Sequence, residues 1–270
     1  SLHLIARFGV GYDSVDIEAC TAKGIGVVIT PDGVRRPVAA SILGFILALS
    51  GKMFAKDALV RRGPKGFAER GDYMGLGLVG RTLGSIGVGN IGREMFRICK
   101  PLDMDFIACD PYMDPKIAQD LGVNLVNLQT VFELSEFLTL NTPLTDETKN
   151  IVNSETLALM KPTAYLINTS RGAVVDQDAL VNALTTKVIA GAALDVFDPE
   201  PPETDDPVLG LENVILAPHS ICWTDQCFAN IGASAVNQVI GFKRGNLPTY
   251  LVNSLVTEHP KFELALKSLT

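Results

Sequence analysis

Residues 82–92, which read Thr-Leu-Gly-Ser-Ile-Gly-Val-Gly-Asn-Ile-Gly, decide the fold of this chain. The first five are typical of a buried β-strand, and they lead directly into a Gly-x-Gly-x-x-Gly pattern. After it, apolar side chains such as Met95 and Cys99 recur on one predicted helical face. Such a glycine pattern says little alone, but between a strand and an amphipathic helix it indicates a nucleotide-binding turn.

The glycines of this turn have different predicted roles. The first permits a tight turn, the second lets the backbone approach a diphosphate, and the third allows close packing of helix on strand. The N-terminus of the following helix favours an anion. The cofactor contacts predicted here are Gly87, Gly89, Asn90, Ile91 and Gly92.

Asp110 indicates which dinucleotide binds. It follows the next predicted strand, residues 106–109, and a carboxylate there accepts both ribose hydroxyls of NAD. The same charge repels the 2′-phosphate of NADP, and residues 111–113 contain no arginine to offset it. The alternative is a glycine turn and a strand-end aspartate without a ligand. We predict NAD.

Short apolar runs alternate with helix-like stretches through most of the chain. The runs are residues 83–88, 106–109, 137–140, 164–167, 189–194 and 214–217. Consecutive βα units build a parallel sheet covered by helices on both faces. We therefore predict an α/β fold whose dinucleotide-binding domain, a doubly wound parallel sheet (Rossmann), spans residues 77–244.

The remaining residues are predicted to form part of a second, smaller α/β domain for the substrate. Residues 37–76 read as an interdomain helix that begins at Pro37, followed by a connecting arm. Residues 1–36 and 245–270 read as pieces of the substrate domain, about 60 residues together and near the limit for an independent core. Because the chain also begins with Ser1, we expect further residues upstream.

The composition disfavours several classes of protein. With 270 residues, 47% of them hydrophobic, the chain can build a sizeable hydrophobic core, which excludes a disordered protein. Its formal net charge of −7 disfavours a nucleic-acid or anionic-membrane partner. Five cysteines without a Cys-x-x-Cys pair favour reduced thiols in a cytoplasmic protein. The apolar run at residues 38–49 is expected to be too short for a bilayer, and no metal site is predicted.

Three predicted strands deliver an ionisable residue to their carboxyl ends, where chemistry gathers in such sheets. These residues are Arg171, Glu200 and His219. Taken singly, Arg171 is better interpreted as a surface residue, Glu200 as a solvated acid of a Pro-rich loop and His219 as a turn residue. Together they supply a cation for an anionic substrate, a carboxylate and an acid/base, so we predict that they are catalytic.

The whole set of motifs resembles the D-isomer-specific 2-hydroxyacid dehydrogenase family, which includes glyoxylate/hydroxypyruvate reductases and phosphoglycerate dehydrogenases. The matching stretches cover nearly the whole chain in the family's order. They are residues 9–13, 80–92, 143–145, 161–162, 167–176, 193–201 and 217–219. The members' first strands of the substrate domain have no counterpart here.

The resemblance implies roles for further residues. Arg171 would bind the carboxylate and carbonyl of a 2-oxo acid, and Glu200 would pair with His219. Asp195 would meet the nicotinamide carboxamide, and backbone amides at Val10 and Gly11 would hold the substrate carboxylate. Further cofactor contacts would come from Thr142, Pro143, Thr169, Ser170, Arg171 and His219. The resemblance also implies a homodimer.

Two features depart from the family. Many members carry a small, Gly-rich turn after the catalytic histidine, whereas this chain continues Ser-Ile-Cys-Trp, so Trp223 is expected to wall the substrate pocket. Arg35 and Arg36 precede the interdomain helix, either as a solvated helix entry or as a site for a second negative group on the substrate.

The favoured function is NAD-dependent interconversion of a 2-oxo acid and a D-2-hydroxy acid, with His219 giving or taking the hydroxyl proton. Two alternatives remain open from the sequence. One is an NAD(H)-sensing, corepressor-like binding protein of the same fold, and the other is a formate or phosphonate dehydrogenase.

Overall fold

The computed structural model describes residues 2–268, and the chain divides into two compact units. The sheet unit is Val38–Ile221, and the terminal unit combines Ser1–Pro37 with Cys222–Thr270. These bounds differ from the predicted ones, since residues 38–76 join the sheet unit and residues 222–244 join the terminal unit. The physical reason is packing: a helix can follow a regular βα series in sequence and still bury its apolar side elsewhere.

The described residues contain nine strands and eleven α-helices. The strands are β1 Leu4–Ala6, β2 Gly26–Val28, β3 Thr82–Ile86, β4 Asp105–Cys109, β5 Val123–Leu125, β6 Phe137–Leu140, β7 Tyr165–Asn168, β8 Gly191–Leu194 and β9 Val214–Leu216. The helices are α1 Ile17–Ala22, α2 Pro31–Ser50, α3 Met53–Arg61, α4 Gly63–Ala68, α5 Asn90–Cys99, α6 Pro115–Leu121, α7 Leu128–Leu134, α8 Ser154–Leu157, α9 Gln177–Thr185, α10 Asp225–Lys243 and α11 Pro260–Ser268.

The sheet unit is built on seven parallel strands in the order β5-β4-β3-β6-β7-β8-β9. The predicted doubly wound parallel sheet is confirmed, and the strand order reverses between β3 and β6, where such folds bind ligands. All six predicted strands of this sheet are present, with ends shifted by at most two residues. The sequence missed β5, because only Val123 of its three residues is buried and no apolar run marks it.

Apolar side chains cover the sheet on both faces. One core cluster includes Phe96 of α5, Phe106 of β4 and Phe137 of β6, and the other is centred on residues such as Phe132 and Leu138. Helix α5 shows why the glycine stretch folds as predicted: its apolar residues, spaced three and four apart, meet the sheet. The strands therefore sit in a rigid slab that holds the loops at their carboxyl ends.

Helix α2 begins six residues before the predicted start. Pro31, not Pro37, occupies its first turn, where a missing N–H costs nothing, and Pro37 lies inside the helix. The apolar run at residues 38–49 is part of this longer helix, which by length and composition alone could cross a membrane. The helix is about half buried, and Ile42 and Ile46 are core residues of the sheet unit.

The predicted connecting arm is mostly helical. It contains α3, α4 and a 3-10 turn at Glu69–Tyr73, and all three belong to the sheet unit. Several of its large apolar side chains face solvent. These are Met53, Phe54, Val60, Phe67 and Met74, each more than half exposed, and Val79, shortly after the arm, is exposed in the same way.

The terminal unit has a much smaller core. Its sheet consists of β1 and β2 in parallel, and α10 packs against β1. The buried cluster of this unit comprises Phe242, Val256, Phe262 and Ala265. All five cysteines of the chain are free thiols. Within residues 2–268, no group of three or more His, Cys, Asp or Glu side chains is arranged to hold a metal ion.

Candidate active site

The carboxyl ends of β3, β4, β6, β7, β8 and β9 bring most of the predicted site residues to one edge of the sheet unit. Because the strands are parallel and in register, the loops that follow them start side by side. These loops carry the glycine turn, Asp110, Thr142 with Pro143, Thr169 to Arg171, Asp195, Glu200 and His219. The edge combines anion-binding backbone with a histidine, an arginine and three carboxylates.

The glycine turn has the geometry that a diphosphate needs. Gly87 has φ 89°, and a Cβ there would lie 2.6 Å from the carbonyl oxygen of Asn141, so no other residue fits. A Cβ on Gly89 would meet no atom within 4 Å, which leaves open space beside the backbone. Gly89 is also the N-cap residue of α5, and it has no side chain that could accept a hydrogen bond. The first N–H groups of this helix are therefore left for a ligand in that space.

Asp110 ties the glycine turn to the end of β4. Its Oδ2 accepts the N–H of Val88 at 2.7 Å, and its Oδ1 accepts the N–H of Tyr112 at 2.9 Å. Tyr112 in turn donates its hydroxyl to Glu147 at 3.0 Å, and this hydrogen bond raises the pKa of Tyr112 above its usual value. Asp110 therefore sets the shape of the turn as well as placing a negative charge beside it.

Asn141 is a residue of this edge that sequence reasoning missed. Its Nδ2 donates to Ser85 at 2.9 Å and to Thr139 at 3.1 Å, and the Ser85 hydroxyl donates to the carbonyl of Gly87 at 2.6 Å. Its Oδ1 is buried and has no hydrogen-bond partner in the described part of the chain. The signal that could have found it is a polar residue directly after strand β6.

This edge fits a nicotinamide dinucleotide. The open space at Gly89, the uncapped start of α5 and the orphaned Asn141 oxygen leave polar groups beside the turn for a ligand to satisfy. Gly87, Gly89, Asn90, Ile91 and Gly92 would hold its diphosphate and Asp110 its ribose.

The loop after β7 is shaped by Asn168, a buried residue that sequence reasoning also left without a role. Its Oδ1 accepts the N–H of Ser170 at 3.0 Å, and its Nδ2 donates to the carbonyl of Arg171 at 2.9 Å. A Cβ on Gly172 would lie 1.8 Å from the carbonyl oxygen of Phe197, so this loop contacts the loop that carries Glu200. Backbone packing thus holds Arg171 beside the loop that carries Glu200.

Glu200 and His219 form a close pair. The Nδ1 of His219 lies 2.5 Å from Oε1 of Glu200, whose Oε2 accepts the N–H of Phe197 at 3.2 Å. The side chain of His219 is 47% exposed and that of Glu200 is 38% exposed, so both remain accessible to a ligand. His219 has φ 51°, a left-handed conformation that is uncommon for a residue with a side chain. The Nε2 of His219 makes no hydrogen bond to the described residues.

Asp195 is the most buried carboxylate of this edge, at 4% exposure. Its Oδ1 accepts the N–H groups of Ser220 at 2.9 Å and Ile221 at 3.1 Å. Burial raises the pKa of Asp195, and the two amides and the charge of His219 oppose this without cancelling it. Its observed partners are therefore backbone groups that follow His219.

A cavity of about 440 Å³ adjoins the pair of Glu200 and His219 within the sheet unit. It is mostly apolar and is lined by Phe197, Leu209, Pro218 and the pair itself, together with four further residues.

The remaining predicted substrate residues lie in the terminal unit. The N–H groups of Val10 and Gly11 donate no hydrogen bond within residues 2–268, although the loop is fixed by Thr30 and by the side chain of Arg7. Trp223 is 62% exposed and stands edge-on to Phe228, with ring centroids 5.2 Å apart.

The terminal unit also contains Arg35 and Arg36, which the sequence singled out, and Phe8, which it did not. Phe8 packs against Phe228, with ring centroids 5.4 Å apart. Arg35 and Arg36 are exposed on α2.

Comparison with known proteins identifies the family. Residues 43–220 match the family model described as D-isomer specific 2-hydroxyacid dehydrogenase, NAD binding domain. The chain belongs to this family. It is an oxidoreductase that acts on the CH–OH group of 2-hydroxy acids with a nicotinamide cofactor.

Relatives in this family cover most of the chain. It is 39% identical over 258 residues to a glyoxylate reductase of Korarchaeum cryptofilum, covering 95% of this chain and 78% of that protein. It is 39% identical over 253 residues to D-3-phosphoglycerate dehydrogenase of Methanocaldococcus jannaschii, covering 93% of this chain but only 48% of that protein. The chain thus spans about half of that relative.

A solved structure supports the same family at the level of the fold. D-lactate dehydrogenase of Aquifex aeolicus, complexed with NAD and lactic acid, is 30% identical to this chain with a TM-score of 0.83. The match covers 94% of this chain and 80% of that structure.

Proposed function

We propose that this 2-hydroxyacid dehydrogenase reduces a 2-oxo acid to the D-2-hydroxy acid with NADH, and that His219 is its general acid. The observation that carries the proposal is the 2.5 Å contact between His219 and Glu200 on the loops next to Arg171. A carboxylate against one ring nitrogen leaves the other nitrogen to exchange a proton with a substrate.

The proton chemistry follows from this pair. When bound at the glycine turn and Asp110, a reduced nicotinamide cofactor would be the source of the hydride that C2 of the substrate receives. The Nδ1–H of His219 donates to Glu200, and Nε2 delivers its proton to the carbonyl oxygen, which becomes the hydroxyl. Glu200 stabilises the imidazolium until that proton leaves. One 2-oxo acid, one NADH and one proton give one 2-hydroxy acid and one NAD⁺.

Arg171 is proposed to bind the substrate. Its planar guanidinium donates in parallel to two oxygens and so matches an α-oxo carboxylate. In the terminal unit, the N–H groups of Val10 and Gly11 donate no hydrogen bond within residues 2–268, which supports a role for them in binding an anionic group of the substrate. Thr142, Pro143, Thr169 and Ser170 are proposed to line the cofactor at the same sheet edge.

Asp110 supports a preference for NAD over NADP. A 2′-phosphate would approach its carboxylate, whose position is fixed by Val88 and Tyr112. Like charges at this distance repel, and no arginine follows in residues 111–113.

Trp223 is proposed to contact the side chain of the substrate. With Phe8 and Phe228 it forms a partly exposed aromatic group, and Phe8 directly precedes the loop with the open amides. Aromatic surface favours an apolar substituent, whereas Arg35 and Arg36 would favour a phosphorylated one.

A panel of 2-oxo acids with NADH tests the function. Glyoxylate, hydroxypyruvate, pyruvate, phenylpyruvate and a phosphorylated hydroxypyruvate are compared by NADH oxidation, with formate and NAD⁺ as a separate arm. We expect turnover of at least one 2-oxo acid and a D-configured product. Formate oxidation without 2-oxo acid reduction contradicts the proposal, and so does NADH binding without any turnover, as a sensing protein would give.

We also propose that the protein is a cytoplasmic homodimer joined through residues 51–80, which comprise the connecting arm and the four residues after it. Six large apolar side chains of this segment are more than half exposed, and such surface marks protein contacts. A cavity of about 550 Å³ lies beside it, lined by Phe54, Tyr73, Tyr165 and other residues. The five free thiols suit a reducing compartment.

Light scattering tests the dimer. We expect twice the chain mass of 28.9 kDa for the wild type and a monomer for Phe54→Glu with Val60→Glu. Leu264→Glu is the matched control, because Leu264 is 67% exposed on α11 in the terminal unit. A monomeric wild type at high concentration contradicts the proposal.

A further inference from the structure

His219 contacts Glu200 from a backbone in the left-handed conformation. Its φ of 51° is costly for a residue with a side chain, so surrounding contacts must hold it. The residues on either side identify those contacts. Before it, the His219 N–H donates to the carbonyl of Ala217 at 3.1 Å. After it, the N–H groups of Ser220 and Ile221 both donate to Oδ1 of Asp195.

Asp195 is well placed to hold the turn. It follows β8, and its own N–H donates to the carbonyl of Asn168 at 2.9 Å, so its backbone is part of the sheet ladder. The side chain is 4% exposed, which keeps water from competing for the two amides. Ser41 of α2 donates to the carbonyl of Ile221 at 2.9 Å, so the same peptide segment is held from both sides.

We propose that Asp195 is a positioning residue whose buried carboxylate, by accepting the N–H groups of Ser220 and Ile221, holds His219 in the turn that presents its imidazole to Glu200. This inference rests on the proposed function of His219. It differs from the role that family resemblance implies for Asp195, a contact to the nicotinamide carboxamide. The distinction is measurable, because one role acts through histidine geometry and the other through cofactor affinity.

The variants Asp195→Ala and Asp195→Asn separate the roles. Alanine removes the acceptor, whereas asparagine keeps one oxygen that can accept hydrogen bonds from the N–H groups of both Ser220 and Ile221. Glu136→Gln is the matched control: Glu136 is also a buried carboxylate that accepts a backbone N–H, and it lies at the opposite edge of the sheet. Circular dichroism shows whether each variant folds.

Two readouts are taken on each folded variant. The first is steady-state kcat and KM for a 2-oxo acid, together with NADH affinity by fluorescence titration. The second is the NMR resonance of the His219 Nδ1 proton, which a short hydrogen bond to a carboxylate moves downfield. The chain has only three histidines, so His219→Ala assigns the signal.

We expect Asp195→Ala to lose the downfield resonance and about 10²-fold in kcat, with NADH affinity within about twofold of wild type. Asp195→Asn should keep the resonance and have a kcat at least tenfold higher than that of Asp195→Ala. Glu136→Gln should leave the resonance and kcat unchanged. An unchanged resonance in Asp195→Ala, with NADH affinity and turnover falling together, overturns the proposal.

A failure of the proposed function is recognised separately. If the wild type reduces no 2-oxo acid, the reaction assigned to His219 is wrong. The NMR comparison then still decides whether Asp195 positions the imidazole.

Discussion

The two edges of the seven-stranded sheet each pair a carboxylate with a basic side chain, but the pairs are built differently. At the amino-terminal edge, Glu136 is 8% exposed and accepts from Lys161 at 2.6 Å and from the N–H of Thr82 at 2.9 Å. At the carboxyl edge, Glu200 and His219 are 2.5 Å apart and remain substantially exposed.

This difference leads us to expect a structural role for the pair at the amino-terminal edge and a functional role for the pair at the carboxyl edge. The Glu136 pair ties the starts of neighbouring strands together and is shielded from solvent, so its interactions stabilise the fold. The His219 pair has a left-handed backbone and an Nε2 without a partner in residues 2–268, so it keeps hydrogen-bonding capacity for a ligand. Substitutions at the carboxyl edge should therefore change turnover with little effect on unfolding, and substitutions at the amino-terminal edge should do the reverse.

The largest effect is expected at His219. His219→Ala should lower kcat by about 10³-fold or more at every pH, because no group then protonates the carbonyl oxygen. NADH affinity and the urea midpoint should stay near those of the wild type. Stopped-flow kinetics and urea unfolding measure these quantities, and a large loss of stability would break the comparison.

The companion variant Glu200→Gln should lower kcat for reduction by about 10²-fold, because the His219 Nδ1–H loses the carboxylate that accepts it and orients the ring. Steady-state kinetics with a 2-oxo acid measure this. An unchanged kcat would make Glu200 one of the solvated acids of its loop.

Arg171→Lys should have the next largest effect. Lysine keeps the charge but cannot donate in parallel to two oxygens, so kcat/KM for the 2-oxo acid should fall by about 10²-fold. The NADH dissociation constant should hold, as fluorescence titration can determine. If cofactor affinity falls in parallel, Arg171 serves the cofactor instead.

Lys161→Met should act on stability alone. It leaves the buried carboxylate of Glu136 without its charged hydrogen-bond donor, at a cost of about 2 kcal/mol in the free energy of unfolding at pH 7. Lys243→Met, at an exposed position of α10, is the matched control. Turnover of the folded variant should match the wild type, and a selective loss of turnover would count against the division between the edges.

The same site gives a pH dependence. Burial raises the pKa of Glu136, but the hydrogen bonds from Lys161 and Thr82 and the charges of Lys161 and Arg81 outweigh it, so its pKa lies below the usual 4.5. Its stabilisation is therefore complete above pH 4.5 and is lost as pH falls through the lower value of the folded state. The stability gap between wild type and Lys161→Met should close in that range.

The smallest effect is expected at Asp110. Asp110→Ala removes the charge that repels a 2′-phosphate, so the ratio of kcat/KM for NADH to that for NADPH should fall by about 10- to 100-fold. Part of this reflects weaker NADH use, because Val88 and Tyr112 lose their acceptor. Equal efficiency of the wild type with both cofactors would contradict the NAD preference.

Local patterns were enough to predict much of the fold. Alternation of apolar runs and helical stretches located six of the seven strands in the main sheet, and parallel connectivity then implied that Arg171, Glu200 and His219 share an edge. The helix start at Pro31 and the helical arm escaped prediction, because both depend on what packs against them.

The sequence by itself determined the parallel sheet, the glycine turn and the residue types at the strand ends, since these follow from side-chain periodicity and backbone sterics within short segments. Only the tertiary structure decided which groups meet there: the His219 turn, the two amides on Asp195, and the orphaned oxygen of Asn141. Each of these depends on distances between strands far apart in the chain, and no local pattern encodes such a distance.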